Sequence, residues 1–107
     1  MTLPFVATLR ARQETIHLGA PGGTPLTLRV EVPEIWDTVR IQAQPTESVL
    51  AVKVAALAAL MPRADQRDYV LKLGGFEVLD EQQMLSQSGV KNGSIFLLTY
   101  RRRRPVR

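Results

Sequence analysis

The sequence predicts an α+β fold in which one helix packs on a mixed sheet of four to five strands. Three observations predict it. Apolar and polar residues alternate in two consecutive runs, 26–32 and 39–44. A single apolar stretch, 49–61, carries helical spacing. Three shorter apolar runs follow it, bounded by glycine and asparagine. One helix covering one face of such a sheet is the simplest way to bury both apolar surfaces.

Taken in order, residues 1–25 form a zone of their own. Phe5, Val6, Leu9, Ile16 and Leu18 follow no single period, and residues 19–25 hold three glycines and two prolines. That composition sustains neither a helix nor a central strand. The zone reads as an arm and a Gly/Pro linker, with weak alternation over 5–12 that would suit an edge strand. In the first clear strand, Leu26, Leu28, Val30 and Val32 alternate with Thr27, Arg29 and Glu31, the pattern of a half-buried strand. Pro33 to Asp37 is a turn, and Val39, Ile41 and Ala43 mark the second strand of a hairpin.

Ser48 is placed to cap the helix, because its hydroxyl can accept from a free N–H of the first turn. Val49, Val52, Lys53, Ala56 and Leu60 share a face, and Pro62 ends the run. Leu50, Val54, Leu57 and Met61 leave little polar surface, so the arm or a partner is expected to cover the other side. Residues 69–73 and 76–79 read as strands around a Gly74-Gly75 turn. Residues 80–90 read as irregular, anchored by Leu85 and Val90. After the Asn92-Gly93 turn, 94–100 is the last strand, with Phe96 and Leu98 on one side and Ile95, Leu97 and Thr99 on the other. The division is therefore 1–25 arm and linker, 26–100 domain, and 101–107 basic tail.

A chain of 107 residues holds one modest core. Its 45% hydrophobic and 22% charged residues are ordinary for a globular protein and argue against global disorder. No apolar run approaches the roughly 20 residues of a membrane span, and residues 1–23 lack the order of a secretory signal. A cytoplasmic setting is the expectation. Cysteine is absent, which removes disulfides, thiol nucleophiles and thiolate metal sites. The net charge is +4, but five positive charges fall in the last seven residues, leaving −1 for everything before Arg101. This is a basic tail on a nearly neutral body, unlike the basic face of a nucleic-acid reader.

No constellation supports catalysis. His17, the single histidine, reads as a solvated arm residue, without the companions a metal or an acid–base role needs. Glu77, Asp80 and Glu81 read as a solvated acidic stretch, and Ser86 and Ser88 have no base beside them. Residues 19–23 lack the Lys-Ser/Thr ending of a phosphate loop. No enzyme activity, cofactor or metal is expected. Trp36, in a hairpin turn, reads equally as a lid on the end of the sheet or as an exposed binding anchor. The arginine run reads as a solvated terminus or as a dock for an acidic surface.

Several segments then carry a resemblance. Pro45 to Lys53 is similar to the start of the ubiquitin helix. Tyr69 to Gly75 is similar to the family's third strand and glycine turn. Leu79-Asp80, Met84 to Ser86 and Gly89-Val90 resemble the segment that plugs its core, and Asn92 to Leu98 its last strand. The resemblance spans Leu26 to Arg101 and implies a ubiquitin-like β-grasp that works by binding proteins. It puts Lys72 where the family's interaction patch has its central isoleucine, with Leu97 and Thr99 beside it. A lysine there implies partners other than those built for an apolar centre. The family's modifiers close on two glycines, whereas Arg101, Arg102, Arg103, Arg104, Pro105, Val106 and Arg107 contain none. In this the chain resembles the bacterial YukD-type proteins of type VII secretion.

The expected function is non-covalent protein binding through Lys72, Leu97, Thr99 and Trp36 and through the tail arginines Arg101, Arg102, Arg103, Arg104 and Arg107. The implied partners are an E1-like enzyme or a secretion-machinery component. Covalent modification with an atypical C-terminus is the alternative, and tail-mediated nucleic-acid binding ranks below both.

Overall fold

A computed structural model describes residues 15–19 and 23–101. Among the described residues, six strands, one α-helix and three 3-10 turns follow one another. The strands are β1 (Thr15–Leu18), β2 (Leu26–Val32), β3 (Asp37–Ala43), β4 (Tyr69–Leu73), β5 (Phe76–Glu77) and β6 (Ile95–Tyr100); the helix, α1, is Val49–Leu60. They form one mixed sheet in the order β1-β3-β2-β6-β4-β5. The hairpin β2–β3 is antiparallel, with Leu28 opposite Ile41 and Val30 opposite Val39. β6 lies at the centre, parallel to β2 and antiparallel to β4.

The predicted α+β architecture is present, with one more strand than expected. β1 pairs in parallel with β3, setting Ile16 opposite Ile41 and Leu18 opposite Ala43. Sequence reading placed these residues in the arm, because four residues are too few to display a period. The weakly alternating segment 5–12 lies outside the described residues. β5 is also shorter than the expected 76–79, ending at Glu77. It follows a turn in which Gly74 and Gly75 both have positive φ, 61° and 87°, a conformation that glycine adopts without a Cβ penalty.

Alternation decides the two faces of the sheet. Leu28, Val30, Val32, Val39, Ile41, Ala43, Leu71, Phe96 and Leu98 are buried beneath α1, which contributes Val49, Val52, Ala56 and Leu57. Leu57 therefore belongs to the core rather than to the outer side of the helix. Val54, Ala58 and Ala59 stay exposed among the described residues. Ile16 and Leu18 of β1 pack on the edge of the same core, so part of the segment read as arm does cover it.

The irregular segment after β5 closes the helix start. The Ser48 hydroxyl accepts from Ala51 N–H at 3.0 Å. Val49 and Leu50 N–H donate to the carbonyls of Gln83 and Glu81 at 3.0 and 2.8 Å. Three first-turn donors with no partner inside the helix are thus satisfied. Leu85, the predicted anchor, is fully buried below them.

Candidate protein-interaction face

The face of the sheet turned away from α1 carries the predicted contact residues. Lys72 of β4 lies opposite Leu97 of β6, and Val70 opposite Thr99. Leu97 is in turn opposite Glu31, and Lys72 opposite Glu77. One row thus runs Glu31, Leu97, Lys72, Glu77 across four neighbouring strands. Lys72, Leu97 and Thr99, named from sequence, are brought together on this face and each is half-buried. Lys72 has no ion pair within the described residues.

Trp36 lies at the end of the sheet where β6 terminates. It follows the 3-10 turn Pro33–Ile35, and its N–H donates to Pro33 O at 3.2 Å. Its φ and ψ are 55° and 43°, the left-handed region, where bulky side chains are uncommon. Its side chain is 94% exposed, so it does not cover the end of the sheet. The turn is tied to the last strand by Glu34 Oε1, which accepts from Tyr100 N–H at 2.8 Å. Ile35 and Tyr100 are also exposed there, and the Tyr69 and Tyr100 rings meet edge to face at 5.4 Å. Burial, with smaller contributions from Glu34, Tyr100 and Asp68, raises the Tyr69 phenol above its ordinary pKa.

Arg101 departs from the expectation of a solvated tail residue. Its N–H donates to Asp68 O at 2.6 Å and its Nε to Arg67 O at 3.2 Å. Its Nη1 reaches Glu77 Oε2 at 3.7 Å. Because β4 separates β6 from β5, the side chain crosses the face that holds Val70, which is only 4% exposed. Arg101 is therefore pinned beside the sheet, held by carbonyls that a charge count does not reveal. Arg102, Arg103, Arg104 and Arg107 lie outside the described residues.

Two of the residues read as a solvated acidic stretch are engaged instead. Glu77 holds Arg101, and Glu81 receives the buried Lys53 ammonium on both carboxylate oxygens, at 2.9 and 2.7 Å. Ser88 Oγ donates to Leu85 O at 2.8 Å, which is a structural use. His17 is exposed on β1. Among the described residues no group of three or more His, Asp or Glu could hold a metal ion. No helix there is long and apolar enough to cross a membrane.

A helix held against a mixed sheet with β6 at its centre defines a ubiquitin-like β-grasp fold. Solved ubiquitin-like structures resemble it over most of their length. The ubiquitin of Caldiarchaeum subterraneum superposes with a TM-score of 0.63 at 19% identity, covering 74% of this chain and 96% of that one. A ubiquitin-like domain of an Arabidopsis thaliana protein gives 0.63 at 15% identity, covering 82% and 89%. The C-terminal ubiquitin-like domain of mouse tubulin-specific chaperone e gives 0.61 at 21%, covering 81% and 97%. At these identities the likeness shows the fold alone. No family model and no curated protein matches the chain.

Proposed function

We propose that this chain is a non-covalent protein-interaction module that binds through the outer face of its sheet. Trp36 carries the reading. A tryptophan in the left-handed region stores backbone strain, and such strain clusters at functional sites. Here it also leaves the indole in water, while large aromatics are the commonest anchors of protein interfaces. Ile35 and Tyr100 extend that apolar end, and Leu97, Lys72 and Thr99 supply the adjoining mixed surface. The tail arginines Arg101, Arg102, Arg103, Arg104 and Arg107 add positive charge to the contact. The reading includes a cytoplasmic setting and no catalytic role. The partner would be a component of a bacterial secretion or ubiquitin-like system, as the YukD-type resemblance suggests.

Binding is tested by a pulldown from the native organism's lysate, with and without ATP. Three proteins are compared: the full chain, a Trp36→Ala variant, and a chain ending at Arg101. That last endpoint keeps the arginine that the sheet holds. The expected outcome is a partner that washes off under denaturant, with Trp36→Ala losing at least about 2 kcal/mol of affinity and the shortened chain losing less. An ATP-dependent adduct that survives denaturation would replace this reading with covalent modification, which the archaeal ubiquitin among the structural relatives also makes worth testing.

A further inference from the structure

Next to the row that holds Lys72 and Leu97, the outer face carries a second row. Arg40 of β3 lies directly opposite Arg29 of β2, and Arg29 lies opposite Ile95 of β6. Thr15 of β1 flanks Arg40 on the other side. Directly opposed residues in an antiparallel pair hold their Cβ atoms roughly 5 Å apart, and like charges in that arrangement destabilise the sheet. Both arginines are exposed. Neither has an ion pair within the described residues, where the cations that do are Lys53, Arg67 and Arg101. The two line a shallow cavity of about 140 Å³ with Thr27, Leu28, Gly93 and Ile95.

From this geometry we infer that the Arg29–Arg40 pair is a carboxylate site for an acidic, extended segment of a partner protein. Two guanidinium groups side by side offer a fork-shaped donor set that matches a carboxylate. An acidic side chain lodged between them converts a repulsive pair into an attractive triad. Ile95, 44% exposed, supplies an apolar neighbour. Strands lie about 4.8 Å apart, so Ile95 sits about 7 Å from the midpoint of the pair; same-side residues of an extended chain are also about 7 Å apart. A segment crossing the strands therefore sets an acidic residue over the arginines and an apolar one, two positions on, over Ile95. Nucleic acid fits less well, because Glu31 lies in the adjoining row and would face its phosphates. This inference rests on the outer face being the binding face, and it names the chemistry of the partner.

The test is an NMR titration of the isotopically labelled full chain with a synthetic nine-residue peptide. In it glutamate and leucine alternate at every second position, with serine between. A matched peptide with glutamine for glutamate and a short oligothymidylate serve as comparators. The glutamate peptide is expected to shift Thr27, Arg29, Arg40 and Ile95, and the glutamine peptide to leave them in place. The Arg29→Gln/Arg40→Gln double variant is expected to bind the glutamate peptide at least about tenfold more weakly. Its melting temperature should rise, because the like-charge pair is gone. That opposition separates lost binding from lost folding. Shifts confined to Lys72, Leu97 and Thr99 would remove the arginine pair from a binding face that itself stands. Shifts confined to the residues after Arg101, undiminished affinity in the double variant, or tighter binding of the oligothymidylate would each overturn the inference.

Discussion

The Lys53–Glu81 pair shows how a single residue can hold two distant segments together. Lys53 is 1% exposed, and both Glu81 oxygens accept hydrogen bonds from its ammonium. Since Leu50 N–H donates to Glu81 O, one residue serves the helix start twice, through its backbone and through its side chain. Removing one partner of a buried pair leaves an uncompensated charge, and the cost is greater when the charge left behind is the more deeply buried one; here the Lys53 side chain is 1% exposed and that of Glu81 18%. Glu81→Gln is therefore expected to cost about 3 kcal/mol in urea unfolding, and Lys53→Met less, because the carboxylate left behind keeps contact with water. Equal losses in the two variants would mean that the pair is not what holds the segment down. In sequence, Lys53 was visible on the apolar face of the helix. Its partner was not, because the two are 28 residues apart and nothing in an acidic stretch says which carboxylate turns inward.

At the scale of elements, what sequence exposed and what it hid divide along length. The two seven-residue strands β2 and β3 display their period plainly, and their hairpin follows from the turn between them. The helix start was readable from Ser48, the strand faces of β6 from its alternation, and the Gly74-Gly75 turn from composition. β1 was hidden because TIHL offers two apolar residues and no more. Its attachment depends on β3 having a free edge, which only the assembled sheet presents. Ile16 packs on the core while His17 faces outward and is exposed. Ile16→Ala should lower stability by about 1 kcal/mol, below the range for fully buried sites, and His17→Ala should stay within about 0.5 kcal/mol. Thermal or urea unfolding of the two variants reads the difference. No difference between them would mean that β1 is not docked in solution.

For the whole molecule, alternation put Leu97 and Thr99 on one face of the last strand, and the ubiquitin-like resemblance put Lys72 beside them as a candidate contact. Neither gave the arginine pair, whose juxtaposition comes from register, or the pinning of Arg101, which depends on carbonyls of the 66–68 turn. The same closing end of the sheet makes global stability sensitive to alkali. Tyr69 sits between β6 and the helix end, its hydroxyl donating to Met61 Sδ at 3.7 Å and its ring against Tyr100. Burial raises its pKa in the folded protein, while the unfolded chain titrates at the ordinary tyrosine value of ~10. Below that value both states hold the proton and the full stability is present. Above it the unfolded state releases its proton first, so the unfolded state binds fewer protons and the slope of stability against pH turns negative. Stability is therefore lost as pH rises from ~10 through the higher folded pKa. Tyr69→Phe removes the titrating group and should flatten that part of the profile. The decisive measurement is the difference in unfolding free energy between wild type and Tyr69→Phe at neutral pH and again in alkali. The wild type's advantage should shrink as alkali is added, and a difference that holds constant would mean that Tyr69 ionises no later in the fold than in the open chain.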